Sequence, residues 1–267
     1  MGKTNVLTAD YEQLQTDIIT LHEQWLERIS ENQLIAEPHP AKYEYPVIPG
    51  LALSINYQQY KQFIIELLDL LNSKQPQTME AAKGLPALLT DAMAESWFHQ
   101  AISMNSFYFE KFSSEYNIPQ WLPFFAAEHA VRPYLQKAAA ELREQLKLAD
   151  HSHGCPACGE PARLAVIGKK GKKELTCPRC CYSWEEKKIS CAQCGNDDHH
   201  QMLILKIEDD ESMQIHVCKA CNGYTKVVDT KRLLKKEHSA ILDLKSIHLD
   251  YIAQERGYGI PGSIETH

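Results

Sequence analysis

All nine cysteines of this 267-residue chain fall between Cys155 and Cys221. Eight of them form four C-x-x-C pairs, Cys155/Cys158, Cys177/Cys180, Cys191/Cys194 and Cys218/Cys221. Thiols at this density hold a metal, cross-link the chain or do redox work, and the spacing separates these uses. A tetrahedral four-thiolate site needs two turns that each present two sulfurs, and C-x-x-C followed by a residue tolerant of positive φ supplies such a turn. Gly159 and Gly195 meet that demand, and Asn222 visits the left-handed region more readily than most residues. Cys181, at the same place after the second pair, is not an expected choice there. Pro156 and Pro178 fix φ inside two of the turns.

The order of features repeats. Cys155 to Gly159 is followed by the apolar run LAVI, the turn GKKGKK and Cys177/Cys180. Cys191 to Gly195 is followed by MLILKI, the turn EDDES, the run MQIHV and Cys218/Cys221. A hairpin returns its two ends to one place. Cys155, Cys158, Cys177 and Cys180 are therefore expected to form one site and Cys191, Cys194, Cys218 and Cys221 a second, with an interleaved cross-brace as the alternative. Each repeat spans only about thirty residues, and chains below roughly 40 rarely hold a core unaided. Structural zinc contributes on the order of 10 kcal/mol in small metal-dependent folds. Two metal ions, each in a tetrahedral four-cysteine site, are thus expected, and spacing alone does not separate iron from zinc. A closed four-thiolate shell leaves no position for water or substrate, which argues against an enzyme.

Other residues in this region have plainer uses. Cys181 reads as a buried or turn thiol, with a redox thiol as the alternative. His151, His153, His199 and His200 lie near the pairs, but eight cysteines already complete two sites, so they read as surface or turn residues. Trp184 and Tyr224 read as small apolar caps over the hairpins, with partner anchors as the alternative. Residues 155–227 carry 11 basic and 10 acidic side chains, so KKGKK reads as a solvated hairpin tip. A formal charge of -7 and a pI near 5.9 argue against a broad nucleic-acid face.

The elements that position these cysteines are set by what precedes and follows them. Apolar content of 44% with 24% charged residues is globular material, and two domains are expected. Residues 1–150 contain no cysteine and show helical periodicity. Asp10 with Gln13 suggests a capping box, and Leu14, Ile18, Leu21, Trp25 and Ile29 define one helix ending near Ser30. AEPHPAKYEYPVIPG carries four prolines and reads as an extended connector over the surface. Asn56 is placed to cap a second helix reaching Leu71, and a third is expected from Pro86 to about Ser103. Pro133 is expected to split the next helical stretch, after which Leu135, Ala139, Leu142 and Leu146 line one face. His129, Arg132 and Tyr134 in that stretch read as ordinary helix-face residues. After the cysteines, Asp229 and Ser239 are candidate caps, Leu244, His248 and Tyr251 share a face, and Gly257 suits a stop. This tail is expected to pack on the helical or the metal region. The fold class is α+β: a helical domain over 1–150, metal subdomains over 151–186 and 187–228, and a helical tail over 229–267. The N-terminus lacks a signal-peptide core, and FIIELLDLL is too short and too charged to span a bilayer, so a soluble cytoplasmic protein is expected. In that compartment thiols stay reduced, which favours metal over disulfides.

The segments GCPACGEPA, LTCPRCCYSW, ISCAQCG and HVCKACNGYTKVVD, followed by LKSIHLDYIAQERGY, resemble the FdhE-type formate dehydrogenase accessory proteins. The resemblance runs from about Phe124 to Tyr258; the first 120 residues are similar only as a helical region of like place and length. It implies a helical domain joined to two rubredoxin-like subdomains, with the eight paired cysteines as ligands to iron, or to zinc in some preparations. It further implies an assembly factor without turnover of its own. Such a factor binds the catalytic subunit of a molybdenum or tungsten formate dehydrogenase and is needed for that subunit's activity. The chain departs from the family pattern at Cys181 and His248, neither in the ligand set. A rubredoxin-like electron carrier and a zinc-ribbon nucleic-acid module are the alternative functions.

Overall fold

The computed structural model describes residues 8–29, 45–147, 154–168, 170–208, 210–233 and 237–259. Most of the proline-rich connector, Ser30, His151 and His153 lie outside the described residues. Two compact units result, one from Gln13–Ala41 and Ile48–Glu141, the other from Met1–Glu12, Lys42–Val47 and Leu142–His267.

The first unit is helical. Helix α1 (Ala9–Arg28) is entered through Thr8, whose Oγ1 accepts from the Tyr11 amide at 3.3 Å, so the cap lies two residues before the expected Asp10. Its buried stripe is Leu14, Ile18, His22 and Trp25. Helix α2 (Tyr57–Lys74) starts at Asn56, whose side chain accepts from the Gln59 amide at 3.0 Å, as the sequence suggests. After the single turn α3 (Pro76–Met79), the helix expected from Pro86 to about Ser103 is broken in two: α4 (Leu85–Leu88) is a single turn, and α5 (Asp91–Ile102) begins only after the Thr90 cap. Helix α6 (Ser106–Tyr116) ends at Asn117 in the left-handed conformation.

Helix α7 (Trp121–Glu141) passes through Pro133 without ending, which corrects the expected split. Its ring removes one ladder bond, a cost of roughly 3 kcal/mol in an exposed helix. Here Ala130, Val131, Tyr134, Leu135 and Ala138 are all buried around it, and that packing outweighs the local defect. Trp25 stacks on Phe63 at 4.8 Å, and Tyr60, Phe98 and Tyr134 meet edge to face at 5.2–6.2 Å. His129 Nδ1 sits 3.2 Å from His22 Nε2 in the same core. Burial holds the His129 pKa well below the usual imidazole range. His129 and Tyr134 are thus core residues, and Arg132 pairs with Glu128 along its own helix at 3.1 Å.

Among the described residues the second unit contains the short helix α8 (Arg143–Leu146) and is built on a six-stranded sheet of order β3-β2-β1-β6-β5-β4. The strands are β1 (Leu164–Ile167), β2 (Lys173–Thr176), β3 (Ser183–Glu186), β4 (Met202–Ile207), β5 (Asp210–Cys218) and β6 (Tyr224–Asp229). Both expected hairpins form, β1 with β2 across the GKKGKK turn and β4 with β5 across the acidic turn. Strand β1 also pairs in parallel with β6, Leu164 opposite Lys226 and Val166 opposite Val228, so one sheet runs through both cysteine repeats. Alternation then sorts the faces. Ala165, Leu175 and Val227 form one core with Ala162 and Ala192, against which Trp184 packs.

Helices α9 (Ser239–Lys245) and α10 (Ile247–Glu255) cover the other face. Leu242 packs with Leu164 and Val228, and Leu249 and Ala253 pack with Ile215, Val217 and Tyr224. The tail thus packs on the sheet, one of the two regions expected for it, but not through the face expected to be shared by Leu244, His248 and Tyr251, and Tyr251 is exposed. The helix breaks at Ser246, which rotates the faces. His238 rather than Ser239 caps α9, while Asp229 caps the turn Thr230–Arg232 as expected. Among the described residues no helix is long and apolar enough to cross a membrane.

Candidate metal centres

Each C-x-x-C turn is built the same way. The amide of the first cysteine donates to the carbonyl five residues on: Cys155 to Glu160, Cys177 to Tyr182, Cys191 to Asn196 and Cys218 to Gly223, all at 2.8–2.9 Å. Closing that ring demands a left-handed residue one place earlier, and Gly159, Cys181, Gly195 and Asn222 have φ of 79°, 56°, 72° and 55°. Cys181 therefore does hold the position for which it was not expected. The turn's closure outweighs a penalty of roughly 1–2 kcal/mol for a residue with a Cβ.

These turns gather the sulfurs into two groups. Cys155, Cys158, Cys177 and Cys180 form one and Cys191, Cys194, Cys218 and Cys221 the other, with all Sγ atoms of a group within 4.8 Å of each other. The hairpins bring their ends together in the sequential arrangement. In the first group Cys155 Sγ lies 3.5 Å from Cys180 Sγ, and Cys158 Sγ lies 3.5 Å from Cys177 Sγ. In the second the matching separations are 3.6 Å for Cys191 and Cys221 and 3.8 Å for Cys194 and Cys218. A tetrahedron with metal–sulfur bonds of about 2.3 Å has edges of about 3.8 Å, so both groups can hold an ion in four-sulfur coordination. None of the nine cysteines is in a disulfide.

Amide donors surround the sulfurs. The amides of Arg179 and Cys180 reach Cys177 Sγ at 3.4 Å, that of Gln193 reaches Cys191 Sγ at 3.4 Å, and that of Gly223 reaches Cys221 Sγ at 3.3 Å. Such bonds favour thiolate over thiol. Burial pushes the Cys177 and Cys180 thiols well up, while thiol donors from Cys155, Cys177 and Cys180 hold Cys158 well down. Four-thiolate ligation must displace the remaining protons, so metal affinity rises with pH.

Side chains between the sites tie them to the sheet. Gln193 Nε2 donates to Ala162 O at 2.6 Å and Tyr224 O at 3.2 Å, and buried Lys173 donates to Ser190 O at 3.0 Å. Tyr224 takes part in a polar cluster under the tail helices, where its hydroxyl donates to Asp250 at 2.9 Å. His199 and His200 are exposed and stand with Asp198 outside both sulfur groups. Sequence reasoning missed one neighbour, the segment Tyr45–Val47, whose Val47 amide donates to Pro156 O at 3.2 Å. Burial, then the adjacent cysteines, push the Tyr45 hydroxyl up to about 12. Nothing local in a proline-rich connector announces that contact.

Fold and sites define an α+β protein with a helical unit and a sheet carrying two zinc-ribbon-like four-cysteine groups. No protein-family model matches the chain. Proteins named FdhE homolog are similar to it in sequence: that of Aquifex aeolicus is 31% identical over 111 residues, which is 39% of this chain and 38% of that protein. That of Haemophilus influenzae is 24% identical over 208 residues, 76% of this chain and 65% of the relative, so these matches span less than two thirds of the relatives' length. The crystal structure of the FdhE protein from Pseudomonas aeruginosa has the same fold, with a TM-score of 0.60 and 19% identity over 94% of this chain and 86% of that one. In sequence over part of their length, and in fold, the chain is similar to proteins named FdhE.

Proposed function

We propose that the chain is a cytoplasmic maturation factor that binds the catalytic subunit of a molybdenum or tungsten formate dehydrogenase and is needed for its activity. The observation that carries this is the joint likeness, in sequence and in fold, to proteins named FdhE. Cys155, Cys158, Cys177 and Cys180 hold one ion, iron or zinc, and Cys191, Cys194, Cys218 and Cys221 hold another. Neither shell keeps a position open for substrate, which supports recognition rather than turnover. Residues 1–150 act as the helical domain, 151–186 and 187–228 as the metal modules, and 229–267 as the tail that covers them. The near-balanced charge of residues 155–227 supports a protein partner over a nucleic acid.

Deleting the gene in its native host is expected to abolish formate dehydrogenase activity while the catalytic subunit is still made. The full chain supplied in trans is expected to restore activity, and an anaerobic pull-down to recover that subunit. Undiminished activity after deletion would overturn the assignment.

A further inference from the structure

The two sulfur groups differ in what covers them. In the first, Cys155, Cys158, Cys177 and Cys180 are 0%, 3%, 0% and 2% exposed. Its outer turn is crossed by the segment Tyr45–Val47. A Cβ built at Gly154 would stand 2.5 Å from Tyr45 Oη, and one at Gly159 would stand 3.1 Å from Pro46 Cγ. In the turn that carries Cys177 and Cys180, Arg179 and Tyr182 are both buried. In the second group Cys191 and Cys218 are buried, but Cys194 is exposed and Cys221 half-buried.

From this asymmetry we propose that the first centre is a slowly exchanging structural staple. The second is the one at which the ion is exchanged with an outside thiol or chelating ligand, entering at Cys194. The proposal rests on the metal reading above. Exchange at a four-thiolate ion needs an incoming donor to reach the coordination shell. At the second centre an incoming thiol gives up its proton and bonds the ion as the Cys194 sulfur leaves and takes a proton. Cys221, the next most accessible sulfur, follows in a second such step, and the ion's oxidation state does not change. At the first centre no sulfur is open, so exchange must wait for local unfolding of the cap or turn. Parallel pairing of β1 with β6 keeps the sheet joined to the first centre while the second is emptied. The molecule can therefore pass on or receive one ion while staying folded. An acceptor with two closely spaced thiols fits this sequence of steps.

The test is zinc release from the fully loaded full-length protein under excess 4-(2-pyridylazo)resorcinol. About two equivalents are expected to leave in two phases of about one each, the fast phase at least about tenfold quicker because it needs no opening step. Cys194→Ser should abolish the fast phase and leave the slow one. Tyr45→Ala should quicken the slow phase alone. Should Cys194→Ser fail to fold, mass-spectrometric mapping of iodoacetamide labelling on the loaded wild type takes its place, with Cys194 expected to react first among the eight. Release of two equivalents in a single phase, a fast phase that persists in Cys194→Ser, or first labelling at a cysteine of the first group would overturn the proposal. Wild-type protein that loads fewer than about two ions would instead overturn the metal reading on which it rests.

Discussion

Cys181 shows how a repeated backbone frame overrides side-chain preference. Four turns of one geometry need a left-handed residue at the same place, and the sequence supplies Gly, Cys, Gly and Asn. Two of these are the cheap solution, one is acceptable, and Cys181 carries the cost. Replacing it separates conformation from ligation, because the eight other cysteines complete both groups without it. Cys181→Gly is expected to be more stable than Cys181→Val by about 1–2 kcal/mol in denaturant unfolding, since a β-branched residue tolerates positive φ worst. Both variants should keep the metal content of the wild type. The reverse stability order, or metal loss in either, would show that the thiol does more than occupy a turn.

At the scale of elements, the tail helices are held to the sheet by one buried cation. Lys226 on β6 is 1% exposed and donates to Asp250 Oδ2 at 2.8 Å and to Asp243 O at 2.9 Å. Asp243 Oδ1 lies 2.7 Å from the same ammonium as an ion pair, while Arg163 reaches Asp243 Oδ2 at 3.1 Å. Removing one partner from such a cluster leaves buried charge uncompensated, so Lys226→Met should cost on the order of 3 kcal/mol in thermal or urea unfolding of the metal-loaded protein. A loss below about 0.5 kcal/mol would mean that the apolar contacts of Leu242, Leu249 and Ala253 suffice. Elements of this kind were unevenly legible. The hairpins and the Asn56 cap follow from alternation and capping chemistry, which act within a few residues. The unbroken α7 does not, because what carries it through Pro133 is tertiary burial, and the break at Ser246 likewise turned the tail's buried face away from Tyr251.

For the whole molecule, the feature least visible in the sequence is the parallel pairing of β1 with β6, about sixty residues apart, which fuses two look-alike repeats into one sheet. The grouping of the eight cysteines needed only the hairpins and was readable from spacing. Contact of Tyr45–Val47 with the first turn was not, because it joins segments about a hundred residues apart with no shared pattern. Two sulfur tetrahedra in one sheet, each able to hold its own ion, underlie the function proposed here, and metal content per chain tests them most directly. Elemental mass spectrometry on anaerobically purified protein is expected to find about two iron or zinc ions per chain, and about one in Cys155→Ser and in Cys191→Ser alike. About one ion in the wild type, or loss of both from either single substitution, would contradict two separate four-cysteine centres.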